Sequence, residues 1–127
     1  MSRPITNSNG GSMVTHLVLM TPRSDLSPAE RNAFIEAFRR ATRDIPTVRA
    51  VRIGRRLLHG AAYQQNGSDA AEYLAAIDFD DIAGLETYLR HPAHEELGRR
   101  FGTSLSAGLV YDFEVGGLEL LESRDFC

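Results

Sequence analysis

Val14-Thr15-His16-Leu17-Val18-Leu19-Met20 decides the fold, because it reads as a strand that is apolar on both faces. Successive side chains of a strand point to opposite sides. Val14, His16, Val18 and Met20 therefore share one face, and Thr15, Leu17 and Leu19 the other. A strand with a solvated side alternates apolar with polar residues. This one does not, so its sheet is expected to be covered on both sides. His16 is a polar intruder on one of those faces. Such a histidine either bonds a neighbour and stays neutral, or lines a pocket.

The chain on either side of this strand, read over residues 13–21, follows the same logic. Residues 1–12 are rich in Ser, Asn and Gly and have too little apolar surface to offset the entropy of ordering, so they are expected to form a disordered leader. Ser27-Pro28-Ala29-Glu30 is a capping box with proline at the first helical position. The helix it opens runs to about Arg43 and packs through Ala33, Phe34, Ala37, Phe38 and Ala41. A second strand is expected over 47–58, where Gly54 marks a bulge or a close approach. Arg49, Arg52, Arg55 and Arg56 alternate between its faces and form either a solvated edge or an anion site at a pocket mouth. Residues 59–69 are a polar loop, long for a hairpin, that either moves freely or closes over something.

A third strand spans 70–79 with Tyr73, Ala75, Ile77 and Phe79 on one face. Asp81 is a good N-cap, and Ile82, Leu85 and Leu89 form the apolar stripe of the next helix. Pro92 breaks or kinks it. A further helical piece from Ala93 carries Leu97, Phe101 and Leu105. The last strand, 108–115, alternates Leu109, Tyr111, Phe113 and Val115 against Asp112 and Glu114. The tail, 116–127, holds Leu118, Leu120 and Leu121 after the core is complete, so it is expected to contact a partner. The order strand, helix, strand, strand, helix, strand is the ferredoxin-like βαββαβ plan, an α+β fold whose helices lie on one face of a four-stranded antiparallel sheet. The face left bare must be covered by something else, and a second copy is the economical choice. Two such sheets face to face make a dimeric α+β barrel.

Composition narrows function. The 127 residues suit one domain, and the net charge of −3 offers no basic field for nucleic acid. All fourteen basic residues are arginine, which excludes a Schiff-base lysine. The one cysteine, Cys127, excludes an intrachain disulfide and a Cys-x-x-Cys site. No apolar run is long enough for a membrane helix and residues 1–12 lack an apolar signal core, so a cytoplasmic protein is expected. The titratable groups gather in Tyr88-Leu89-Arg90-His91-Pro92-Ala93-His94, where Tyr88, His91 and His94 follow one another at spacings of three. A histidine here has the basicity to take a proton at neutral pH, and Tyr88 and His16 could orient or polarise a carbonyl. The alternatives are ligand binding without chemistry, or structure alone, with His91 capping the backbone freed by Pro92. His91, His94 and Glu95 could also ligate a metal, although their spacing is not His-Glu-x-x-His.

The opening Val14-Thr15-His16-Leu17-Val18-Leu19, Ile45-Pro46, Gly54, the His91-Pro92-Ala93-His94 element after Tyr88, and Tyr111-Asp112-Phe113-Glu114-Val115 resemble the stress-responsive A/B barrel domain (Dabb) family. The likeness covers roughly residues 13–115. It implies a homodimeric α+β barrel with a small-molecule pocket between sheet and helices, and no cofactor or metal. Plant polyketide cyclases of this kind carry the same His-Pro-Ala-His element. By that resemblance His94 matches the general base of an aldol-type cyclisation and Tyr88 the tyrosine that holds the substrate. His91 and His16 match further histidines of the motif and pocket, and Tyr73 stands where the cyclase has a third-strand pocket histidine. The family thus implies either a binding protein or a cofactor-independent cyclase, lyase or isomerase.

Overall fold

The computed structural model describes residues 13–64 and 71–122. The leader, most of the 59–69 loop's second half and the last residues of the tail, Cys127 included, lie outside the described residues. Four strands form one antiparallel sheet: β1 (Met13–Pro22), β2 (Ala50–Arg55), β3 (Tyr73–Phe79) and β4 (Leu105–Val115), in the order β2-β3-β1-β4. The helices α1 (Pro28–Asp44), α2 (Ile82–Arg90) and α3 (Pro92–Ser104) pack on one face, as the ferredoxin-like plan requires. Among the described residues no helix is long and apolar enough to cross a membrane.

The capping box forms as expected: the Glu30 amide donates to Ser27 Oγ at 3.1 Å, and the Ser27 amide donates to Glu30 Oε1 at 3.0 Å. Ala37 and Ala41 are fully buried, so α1 sits close on the sheet, with Phe34 and Phe38 half-buried at its flank. Asp81 caps α2, accepting from the Gly84 amide at 2.9 Å. The buried stripe of α2 is Gly84, Leu85 and Tyr88, while Ile82 is 63% exposed and Leu89 lies partly open. The helix is therefore rotated from the expected Ile82-Leu85-Leu89 stripe. Thr47 sets that phase: its hydroxyl donates to the Gly84 carbonyl at 2.8 Å, and a Cβ on Gly84 would lie 3.4 Å from Thr47 Cβ.

Gly54 makes no bulge. The β2–β3 register runs unbroken from Ala50 opposite Asp78 to Arg55 opposite Tyr73. Gly54 instead admits Leu74, whose Cγ would stand 3.0 Å from an added Cβ. Gly108 on β4 works the same way, since a Cβ there would overlap the ring of Phe101 from α3. Gly108→Ala should therefore destabilise the fold by about 1–2 kcal/mol, a fall in Tm of roughly 5–10 °C. Gly102→Ala, on an exposed turn of α3 with open space around it, should instead raise Tm slightly. Paired thermal melts check both signs.

The two sheet faces differ. Val14, His16, Val18, Met20, Ala75, Ile77 and Phe79 lie under the helices and are buried. On the other face Leu17 and Leu19 are half-buried, while Leu74, Leu109, Tyr111 and Phe113 are exposed. At its β2 end that face turns polar: Thr15 donates to Asp78 at 2.7 Å, and Arg52 lies 3.7 Å from the same carboxylate. Of the four arginines expected along this strand, Arg52 and Arg55 lie in β2 on opposite faces, while Arg49 and Arg56 flank it, Arg49 pairing with Asp80 at 2.8 Å.

Candidate functional site

Pro92 builds the site. A proline disfavours helical backbone in the residue before it, and His91 is extended at φ −72°, ψ 141°. One helix therefore ends at Arg90 and another begins at Pro92, which occupies the first-turn position it favours. The junction is tight, because the His91 amide donates to the Tyr88 carbonyl at 3.2 Å and the His94 amide to the His91 carbonyl at 2.9 Å. Tyr88, in the last turn of α2, thus meets His94, in the first turn of α3, with ring centroids 4.7 Å apart. Two short helices do what a continuous helix face was expected to do.

Both rings face His16 of β1. Its ring centroid is 5.7 Å from Tyr88 and 6.4 Å from His94. Phe79 backs Tyr88 at 5.1 Å. The three polar rings border a cavity of about 230 Å³ between sheet and helices. Its other walls are apolar: Val18 and Met20 from β1, Phe34 and Phe38 from α1, Leu97 and Phe101 from α3, with Ile77, Leu89, Gly98 and Val110 completing it.

Electrostatics separates the three groups. Burial raises the Tyr88 hydroxyl well above the ordinary phenol pKa, so it stays a neutral donor at physiological pH. No hydrogen-bond partner reaches that hydroxyl among the described residues. Burial also lowers His94 below the ordinary 6.5, helped by neighbouring His16; the Leu89 backbone and Glu95 pull the other way more weakly. His94 is thus neutral at pH 7 and free to accept a proton. His16 Nδ1 lies 2.6 Å from Asp112 Oδ1 on β4, its direct cross-strand partner. That carboxylate, itself partly open to solvent, fixes the orientation of the buried imidazole.

Of the residues expected from the sequence, His16, Tyr88 and His94 come together. His91 does not line the cavity; its Nδ1 accepts from the Ala93 amide at 3.0 Å, a cap on α3. Tyr73 is also outside it. It lies on the helix-side face of β3 near the strand's start, opposite Met20, and borders a separate surface hollow beside Gly54 and Arg55. His91 and His94 therefore do not converge with Glu95, and among the described residues no three His, Cys, Asp or Glu side chains are grouped to hold a metal. Asp112 is the site residue that the sequence pattern left unmarked. Its signal was the β4 alternation, which puts Asp112 on the side away from Leu109, Tyr111 and Phe113.

Comparison with known proteins agrees with this fold. The chain is 20% identical over 100 residues to olivetolic acid cyclase of Cannabis sativa, a match covering 79% of this chain and 94% of that one. Its fold superposes on hydroxynitrile lyase from Passiflora edulis with a TM-score of 0.70 at 18% identity, covering 84% of this chain and 95% of the lyase. A dimeric ferredoxin-like protein of unknown function from Thermobifida fusca gives a TM-score of 0.64 at 19% identity, over 83% of this chain and 92% of that one. The profile of the Stress responsive A/B Barrel Domain (Dabb) matches residues 14–115, and the chain belongs to that family.

Proposed function

We propose that this protein is a homodimeric, cofactor-free enzyme that moves a proton on a small carbonyl compound held between sheet and helices. His94 is the base and Tyr88 the donor that holds the carbonyl oxygen. The observation that carries this reading is the contact of a neutral imidazole with a phenol that no described residue hydrogen-bonds, in a cavity whose walls beyond these rings and His16 are apolar. His94 takes a proton from carbon beside a carbonyl. The carbanion then attacks a second carbonyl carbon of the same molecule, and the resulting alkoxide is reprotonated by the imidazolium. Tyr88 stabilises the negative oxygen through its hydrogen bond, the kind of donor that contributes most where water is excluded, while His16, held by Asp112, completes the polar wall. Run in the bond-breaking direction, the same base takes a hydroxyl proton and expels a carbon leaving group. Of two relatives whose names state an activity, one is a cyclase and the other a lyase, which supports this pair of directions. The dimer rests on the apolar outer face of the sheet and on dimeric neighbours of the same fold.

The test is turnover of a panel of linear β-polyketones and aryl cyanohydrins as a function of pH. The free base is the active form, so kcat/KM should climb with pH to an apparent pKa below 6.5 and stay level above it. Tyr88→Phe keeps the ring packing and should lower kcat/KM by about 10–100-fold. A rate that does not change between about pH 5 and 8 would remove His94 from the role of base. Measured binding to this pocket with no turnover across the panel would assign a ligand-binding protein instead.

A further inference from the structure

The walls of the cavity are not equally closed. His16, Val18, Met20, Ile77, Tyr88 and Leu97 are buried. Phe34, Phe38, His94 and Phe101 are partly buried, and Leu89, Gly98 and Val110 are the exposed lining residues. Val110 lies on the helix side of β4, opposite Val18, yet is 48% exposed. The cause is packing: α3 lies chiefly against α1 and meets β4 mainly where Phe101 covers Gly108. The gap faces Gly98, where an added Cβ would meet nothing within 4 Å. An opening therefore runs between α3 and β4, bordered by Gly98 on one side and Val110 on the other.

The arginines nearest this opening are already paired: Arg90, after Leu89, lies 3.7 Å from Glu86, and Arg99 and Arg100, after Gly98, lie 2.6 and 3.0 Å from Glu96. No arginine lines the cavity. Asp112 reaches its edge through the 2.6 Å contact with His16, and Glu95 follows His94 on an exposed turn of α3. His16 already faces a carboxylate. An anion entering here would lose its hydration without gaining a cation, a cost of several kcal/mol or more. Size narrows the class further: about 230 Å³ is below the range of roughly 300–1,000 Å³ typical of drug-sized ligands.

We propose that the ligand enters between α3 and β4, past Gly98 and Val110, and that it is an uncharged carbonyl compound of one ring with a short side chain, its carboxylate analogue being refused. This deepens the reading of the cavity as the reactive site and rests on it for the ligand's position, not for any chemistry.

The experiment is titration of the full chain with acetophenone and with benzoate, which are of similar size but differ in charge, followed by calorimetry and amide chemical shifts. Acetophenone should bind and shift Leu89, Gly98 and Val110. Benzoate should bind about tenfold more weakly or worse, as an unpaired buried carboxylate requires. Gly98→Leu should weaken acetophenone by about tenfold or more by filling the opening, while helix propensity favours its folding. Gly102→Leu, which has equal room and lies outside the cavity, should bind as wild type does. Absence of acetophenone binding, equal affinity for benzoate, or undiminished binding in a folded Gly98→Leu would each overturn the proposal. If acetophenone binds as described but wild type turns over nothing on the polyketone and cyanohydrin panel, the proton transfer fails and this entrance and ligand class stand.

Discussion

Replacing His94 with alanine should lower kcat/KM by about 10²–10⁴-fold, the usual contribution of a positioned general base, while Tm moves by no more than a few degrees. The two halves of that expectation come from different observations. His94 is only half-buried, so its loss removes little packing. Tyr88 is the contrast. It is 1% exposed and packed on Phe79, so truncating it to alanine would cost roughly 3–5 kcal/mol and confuse folding with function. The loss of rate is large because the other imidazole of the cavity, His16, has its ring centre 6.4 Å from that of His94 and cannot reach the same proton. Asp112 is held by His16, and the Nδ1 of His16 is engaged by Asp112. Tyr88 is kept protonated by its burial. The void left by the ring adjoins the cavity, so added imidazole should restore part of the rate in His94→Ala and none in Tyr88→Phe. A His94→Ala protein as active as wild type would refute the assignment, and so would a loss of rate accompanied by an equal loss of folded protein.

Much of this site could be read from residue order, and the parts that could not share a cause. Side-chain alternation placed His16 on the face with Val14, Val18 and Met20, which is the face that the helices cover. Capping chemistry located the starts of α1 and α2 at Ser27 and Asp81, because those signals act within a few residues. The contact between His16 and Asp112 joins residues 96 apart and depends on the β1–β4 register, which local pattern does not contain. Gly54 shows a similar limit. A glycine within a strand serves a bulge or a close approach, and only the position of Leu74 decides between them. The phase of α2 is set by Thr47, far away in sequence, so the exposure of Ile82 was invisible. Tyr73 is subtler. Resemblance placed it at a pocket position and its face is the helix side, but it stands at the end of the sheet where the cavity does not extend.

A single aspartate at Phe113 should split the proposed dimer. Phe113 pairs with Thr15 in the sheet and stands with Leu109 and Tyr111 on the face that no helix covers. These three side chains are 48%, 55% and 47% exposed, and Leu17, Leu19 and Leu74 continue the apolar surface across β1 and β3. A folded monomer rarely carries a contiguous apolar patch of more than a few hundred Å². Against a second copy the same surface becomes a dry core of the size that stable interfaces need, about 1,000 Å² or more. A carboxylate on this surface would be buried without a partner, at a cost of about 3–5 kcal/mol, or roughly 10²–10³-fold in dimer affinity. Strand geometry supplies the control. Val110 is as exposed as Phe113, at 48% each, but points to the helix side. Val110→Asp should therefore leave the dimer intact, although it puts a charge at the cavity mouth. Sedimentation velocity at micromolar concentration separates the outcomes. Monomeric Phe113→Asp beside dimeric wild type and dimeric Val110→Asp places the partner on the open sheet. A dimer that survives Phe113→Asp, or dissociates only with Val110→Asp, would put the second copy elsewhere and leave the apolar face unexplained.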